Sequence, residues 1–381
     1  MDFSLSTEQQ QVQSLARDVA QKELAPKAAE IDRTSAFPRD GLKKLAEVGL
    51  MGIGTPQSFG GSKSDTLSLL LVLEEIAKAC PSTAEVFAIH AEASSIIAVG
   101  GTDDVKARYL PSLAKGEILG TFALTEPGSG CNFMNVEASA RADGDYYLLN
   151  GSKVFITSGG EADVYVIAVR TNPEQPGPGG QSLLLIEKGT PGFSFGTSYE
   201  RMGFRGTSAR ELIFEDCRVP KTHLLGGEGG YLLVMMVTAG SGQLGVAAIS
   251  LGIAQGALEA TLKYAKERLQ VGKQPLTQYQ VVRHHLVDMS TAVDAARVMT
   301  YWAACLLDSG PPGPPIPSFK AKLFTTETAV DVTNKALQLH GGTGYCRDLP
   351  IERYFRDARG MTLHAFPTDA QKDQTAMFLL A

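Results

Sequence analysis

A chain of 381 residues is too long for one compact core of ordinary size, so two or three domains are expected. Its 44% hydrophobic and 20% charged residues are an ordinary soluble composition, and a formal net charge of −6 argues against a nucleic-acid partner, which needs a basic stripe. The five cysteines, Cys80, Cys131, Cys217, Cys305 and Cys346, are scattered and odd in number, and fit neither a disulfide framework nor a zinc pattern.

The opening "MDFSLSTEQQ" has no basic segment followed by an apolar one and no Arg-rich presequence. The most apolar runs, "LSLLLVLEEIA" and "YLLVMMV", are too short for roughly 30 Å of hydrocarbon. We therefore expect a reduced, cytoplasmic protein with no membrane insertion. From Thr7 to about Leu119 the pattern is helical. "TEQQQVQSLARDVAQKEL" sets Val12, Leu15, Ala16 and Val19 on one face, and Thr7 with Gln10 is expected to form a capping box. "SKSDTLSLLLVLEEIAKA" has an apolar centre that reads as a buried helix.

From about Gly120 the period becomes two. In "DGDYYLLNGSKVFIT", Asp143-Gly144 and Asn150-Gly151 are both hairpin signals between strand-like runs. "DVYVIAV", "SLLLIEK" and "ARELIFEDCRVP" continue the β pattern. From Gly230 helices return, with Leu251, Leu258, Leu262 and Ala265 on one stripe and "DSGPPGPPIPS" as a breaker. The expected domains are 1–119 helical, 120–228 β and 229–381 helical.

Single motifs say little. "ALTEPGSG" at 123–130 suits close backbone approach to a flat or anionic ligand, and equally an ordinary Gly-Pro turn. "ALQLHGGTGY" at 336–345 reads also as a helix C-cap. His284-His285 lacks a third ligand, so no metal is expected. No G-x-S-x-G, P-loop or Rossmann fingerprint is present.

Taken in order, "FALTEPGSG", "LNGSKVFITSGGEADVYVIAVR", "RMGFRGTSARELIFEDCRVP", "GIAQGALEATLKYAKER", "QLHGGTGY" and "PIERYFRDAR" resemble the acyl-CoA dehydrogenase flavoproteins over essentially the whole chain. The resemblance implies an α+β fold: an N-terminal helical domain, a central β-domain and a C-terminal four-helix bundle. It also implies FAD as cofactor. Phe122, Leu124, Thr125 and Cys131 would lie against the flavin and the acyl thioester, with Cys131 where serine is usual. Phe155 and Thr157 would cover the other flavin edge. Arg268 would reach the pyrophosphate, often across a subunit boundary, a contact that suits a planar guanidinium. Gln280, Gln338, His340, Gly341, Gly342 and Thr368 match further cofactor contacts. Val271, where an aromatic is usual, and one extra residue before Pro275 depart from the pattern. The implied partners are acyl-CoA or a carrier-bound acyl thioester, an electron-transferring flavoprotein as acceptor, and sister subunits in a homotetramer.

Family chemistry needs a base for the α-proton while the β-hydrogen leaves as hydride, and a polarised thioester carbonyl. Counting from Arg356-Asp357-Ala358-Arg359, the usual glutamate falls on Ala365, followed by Phe366 and an inserted Pro367. The alternative home of the base, on the first long helix of the bundle, falls on Gly242, with Gln243 where arginine is usual, and these two are read as substrate-side positions. Both homes lack a carboxylate. The substitutes considered are His364, whose side chain is expected to point away from that of residue 365, and His90 and Glu92 on "EVFAIHAEASS", which resembles the helix lining the acyl pocket. Asp369 lies too far along the chain. Glu85, Ile89 and Glu92 share one stripe, read as a solvated face. Three readings follow: a dehydrogenase with a relocated base and an atypical substrate, a flavoenzyme running enoyl reduction or β-elimination, or a silent FAD-binding subunit.

Overall fold

The computed structural model describes residues 4–62, 64–130, 132–310 and 315–380. Helix α1 (Thr7–Val19) starts at a capping box one residue earlier than expected. Ser6 Oγ accepts the Gln9 N–H at 3.2 Å, and the Gln9 side chain accepts the Ser6 N–H at 2.9 Å. The reason is conformational: Ser6 is extended (ψ 164°), whereas Thr7 is already helical. Val12, Ala16 and Val19 pack inward, but Leu15 stays 39% exposed. A π-turn at Ala20–Leu24 leads into α2 (Ala25–Thr34), followed by α3 (Arg39–Glu47). Helix α4 (Thr66–Ala79) is capped by Asp65 and almost wholly buried, and α5 (Pro81–Gly100) opens on a proline at its first position. Helix α6 (Asp103–Ala114) closes this half.

Eight strands form one sheet: β1 (Gly120–Ala123), β2 (Ser139–Asp143), β3 (Tyr146–Ile156), β4 (Val164–Arg170), β5 (Gln181–Glu187), β6 (Phe193–Ser198), β7 (Arg210–Pro220) and β8 (Leu224–Leu225). Their order is β6-β7-β3-β2-β4-β5-β8, and β1 lies parallel to β4. Asp143-Gly144 makes the β2–β3 turn, with Asp143 opposite Tyr146 and Gly144 at φ 56°. Asn150-Gly151 makes no turn; β3 runs straight through it. Asn150 instead exchanges hydrogen bonds with Asp216 across a bulge, and Gly151 passes so close to Ala138 that a Cβ there would sit 2.9 Å from its Cα.

The chain then forms α7 (Tyr231–Glu267), the short pair β9 (Leu269–Gln270) and β10 (Gln274–Pro275), α8 (Gln280–Ser309), α9 (Ile316–Gly344), α10 (Ile351–Met361) and α11 (Thr368–Leu380). Helix α7 packs on α4, α5, α8, α9 and α10. Against expectation, its residues Val234–Glu267 are long and apolar enough to cross a bilayer by length and composition, yet most of them are buried inside the protein. Their apolarity is that of a core helix. The architecture is α+β, with helices, then a sheet, then a helical bundle.

The charged run on α10 ties these parts together. Arg356 forks onto Asp32 of α2 at 2.9 and 2.7 Å, onto Glu352 at 2.6 and 3.0 Å, and onto the Met202 carbonyl at 2.7 Å. Buried Asp357 accepts the Phe204 N–H at 2.6 Å, although burial pushes its carboxyl up to about 7.

Candidate active site

The loop after β1 is held by a buried ion pair. Lys153 Nζ donates to Glu126 Oε1 at 2.7 Å and to the Leu124 carbonyl at 3.1 Å, while Glu126 accepts the N–H groups of Glu137 and Ala138. Burial pushes Lys153 down to about 8. Burial also works against the Glu126 carboxylate, but the lysine charge and these donors hold it below its ordinary value. Val154 N–H donates to the Thr125 carbonyl, so Leu124 and Thr125 are fixed beside β3, while Phe122 sits on β1 itself. Cys131 lies outside the described residues.

A register shift between Lys153 and Ile156 turns Phe155 out of the sheet at φ 58°. Its ring is 58% exposed and leans on Tyr199 at 4.3 Å. An aromatic held facing outward on a bulge offers a wall to a flat ring system. Thr157, two residues on, is buried.

A second group of predicted residues gathers around the small apolar cluster of Ala265, Leu276, Val282 and Leu286. Arg268 ends α7, and its exposed guanidinium has no ion-pair partner among the described residues. Gln280 opens α8, exposed, and Gln338 is exposed on α9. His340 stacks on Tyr264 at 4.1 Å and bonds the Ala336 carbonyl through Nδ1. Gly341 breaks α9 at φ 58°, and a Cβ at Gly341 or Gly342 would meet nothing within 4 Å. An exposed guanidinium at the end of α7 and an open glycine pair on α9 each suit an anionic diphosphate, so the residues present fit the dinucleotide that the resemblance implies.

The two positions where a base is expected, Ala365 and Gly242, carry no carboxylate. Ala365 has φ 57°, in a tight turn closed by Phe366 N–H to the His364 carbonyl at 2.8 Å. Buried Lys322 grips the Phe366 carbonyl, the Phe366 ring meets Phe133 edge-on at 5.7 Å, and Thr368 bonds the Thr362 carbonyl through N–H and Oγ1. The Ala365 N–H donates to no described group, so it is available to an acyl carbonyl. On α7, a Cβ added at Gly242 would lie 2.8 Å from Glu92 Oε1. Gln243 beside it is buried, with its Oε1 unpartnered.

Helix α5 carries the remaining candidates. His90 and Glu92 diverge, as two residues apart on a helix must. His90 Nδ1 accepts the Gly120 N–H at 3.2 Å, and burial pushes its pKa down to about 4, so the ring is neutral and ties α5 to β1. Glu92 leans over Gly242, half-buried, and burial pushes it up to about 7. Burial also lowers His364, with Arg201 and Lys322 adding to the effect and Glu85 opposing it.

The residue that sequence reading passed over is Glu85. The stripe of Glu85, Ile89 and Glu92 is not solvated: Glu85 is 1% exposed and the other two are partly covered. Helix α5 packs against α4, α7 and β1, which cover its stripe at Glu85, while the same stripe opens further along at Val99, 41% exposed. Glu85 Oε1 accepts the Thr157 hydroxyl at 2.8 Å and lies 3.6 Å from Arg201 Nη1 and 3.7 Å from His364 Nδ1. Its Oε2 is buried with no hydrogen-bond partner, a situation that ordinarily costs about 1–3 kcal/mol. The signal was available in "PSTAEVFAIHA", where an acid interrupts a run with no other charge.

Comparison with known proteins gives three family matches in chain order: acyl-CoA dehydrogenase N-terminal domain over residues 6–117, middle domain over 121–217 and C-terminal domain over 229–380. The acryloyl-CoA reductase (NADH) of Anaerotignum propionicum is 45% identical over 361 residues, 94% of this chain and 91% of that protein. Butyryl-CoA dehydrogenase from Megasphaera elsdenii superposes with a TM-score of 0.96 at 35% identity, covering 100% of both chains. A chain from a structure described as the electron transferring flavoprotein of Acidaminococcus fermentans gives 0.96 at 39% identity, again over 100% of both.

Proposed function

Because the chain belongs to the acyl-CoA dehydrogenase family, a family of flavin-dependent CH–CH oxidoreductases, we propose that it carries FAD and acts at the α,β bond of an atypical acyl thioester. The observation that carries this reading is the loop of Ala365, which keeps a free backbone N–H for the thioester carbonyl but presents no carboxylate. When bound, the flavin supplies the two-electron acceptor or donor for a hydride at the β-carbon. Phe155 and Thr157 would wall its ring, and the 124–125 backbone would approach it. Arg268, Gln280, Gln338 and the glycine pair would hold its phosphates from a neighbouring subunit. Assembly as a tetramer is supported by the apolar outer face of α8, where Val287, Val298 and Trp302 are 63%, 52% and 41% exposed. An electron-transferring flavoprotein is the proposed redox partner, in keeping with the Acidaminococcus match.

Purified protein should bind one FAD per subunit, and Arg268→Ala should weaken that binding about 10- to 100-fold. Mixed anaerobically with butyryl- or octanoyl-CoA, the flavin should bleach about 100- to 10,000-fold more slowly than in a family member with the glutamate in place. Ordinary bleaching rates with these two thioesters would overturn the atypical substrate. The 45% identity to an acryloyl-CoA reductase favours a second reading, reduction of a short enoyl thioester. It predicts that pre-reduced protein is rapidly reoxidised by acryloyl-CoA.

A further inference from the structure

We propose that Glu85 is the group that exchanges the proton at the acyl α-carbon, taking the role the 365 loop has given up. The inference rests on the reading of the chain as an acyl-thioester oxidoreductase, and its own argument is geometric. Among the acids of α5, Glu85 contacts both walls of the site: Thr157 at 2.8 Å on the β3 side, and His364 at 3.7 Å on the turn that carries Ala365. Glu92 stands seven residues along, about 10 Å by helical rise, over Gly242. His90 is turned to Gly120.

The two carboxylate oxygens of Glu85 are not equivalent. Oε1 takes the Thr157 hydroxyl and faces Arg201 and His364, which fix the group in place. Oε2 is buried and accepts no hydrogen bond from the described residues, so its lone pairs are left unclaimed by the protein. Glu85 stands between the candidate cofactor wall at Thr157 and the turn that carries Ala365, and the protein leaves one of its oxygens without a donor. Around it stand one cation, Arg201, one imidazole, His364, and one hydroxyl, Thr157; no second carboxylate opposes the charge among the described contacts.

The chemistry balances within the flavin reaction. In oxidation, Oε2 would form an O–H bond to the α-hydrogen, the C–H pair would become the new α,β π bond, and the β-hydrogen would leave with its own pair, which a bound flavin would accept. In reduction each movement reverses, and protonated Glu85 returns the proton to the α-carbon. His364 and Arg201 act as positioning residues that hold Oε1.

The test follows the α-hydrogen alone. Flavin-free protein is mixed in D2O with methylthioacetyl-CoA, whose sulfur raises α-acidity, and washout of the α-hydrogen is followed by 1H NMR with no hydride transfer possible. Native protein should accelerate washout over buffer, and Glu85→Gln should slow it at least 100-fold while calorimetric thioester affinity stays within threefold. Glu85→Asp, which keeps the carboxylate, should retain part of the rate and guards against a merely structural defect. Glu92→Gln should exchange at the native rate, and His364→Gln within tenfold of it. Native protein that does not exceed buffer, a Glu85→Gln rate within threefold of native, or the main loss falling on Glu92→Gln or His364→Gln would overturn the proposal. Ordinary bleaching by butyryl-CoA would sink the atypical substrate without touching this result, so the two readings fail separately.

Discussion

Arg356 on α10 and Glu85 on α5 are both largely buried charges, and the protein treats them in opposite ways. Arg356 is surrounded by Asp32, Glu352 and the Met202 carbonyl. On α5, Glu85 leaves one oxygen without a donor, and Glu92 leans over a glycine with its carboxyl pushed up to about 7. Saturated charge makes scaffold, because its cost of burial is offset inside the chain. Unsaturated charge stores an unmet demand, which only a ligand or a proton can answer. So the dense sequence "ERYFRDAR" reads as framework, and the acid proposed for the chemistry lies on a quieter helix.

The largest expected effect tests the scaffold half of that contrast. Arg356→Ala strands Asp32 and Glu352, which are 11% and 16% exposed as side chains, and should cost about 3–5 kcal/mol in urea unfolding. A loss below about 1 kcal/mol would mean that α10 does not lock α2 to the bundle. Next comes Glu92. Its folded-state pKa is raised, so the stability it contributes is complete below pH 4.5 and is lost as pH rises through about 7. Glu92→Gln should therefore match the parent in acid and exceed it by about 1–3 kcal/mol at pH 8. Equal thermal stability at pH 8 would show that the carboxylate already has a partner. The smallest effect is at the turn: Ala365→Gly relieves a left-handed alanine and should raise stability by less than about 1 kcal/mol, read as a small rise in Tm.

Much of this was legible before any coordinates. Periodicity gave helices, then strands, then helices again, the resemblance supplied the bundle, and Asp143-Gly144 gave its turn because the residues on either side pair directly. Asn150-Gly151 misled for a reason that is not local: its glycine answers Ala138 and its asparagine answers Asp216, both distant in sequence. That the expected base positions, Ala365 and Gly242, carry no carboxylate is plain from the sequence itself. Glu85 was harder to read: the lone acid in an otherwise uncharged run was visible, but the stripe it shares suggested a wet face, and the structure covers that face at Glu85. The capping box slipped by one residue because Ser6 and Thr7 are equally good caps on paper, and only the extended backbone of Ser6 decides between them.

The chain has a single tryptophan, and it is Trp302, 41% exposed on the outer face of α8. Every photon of indole emission therefore reports on that one surface and on nothing in the catalytic half. If sister subunits cover the face, dilution should shift the emission to the red as the ring meets water, and refolding followed by this signal will time assembly rather than folding of the single chain.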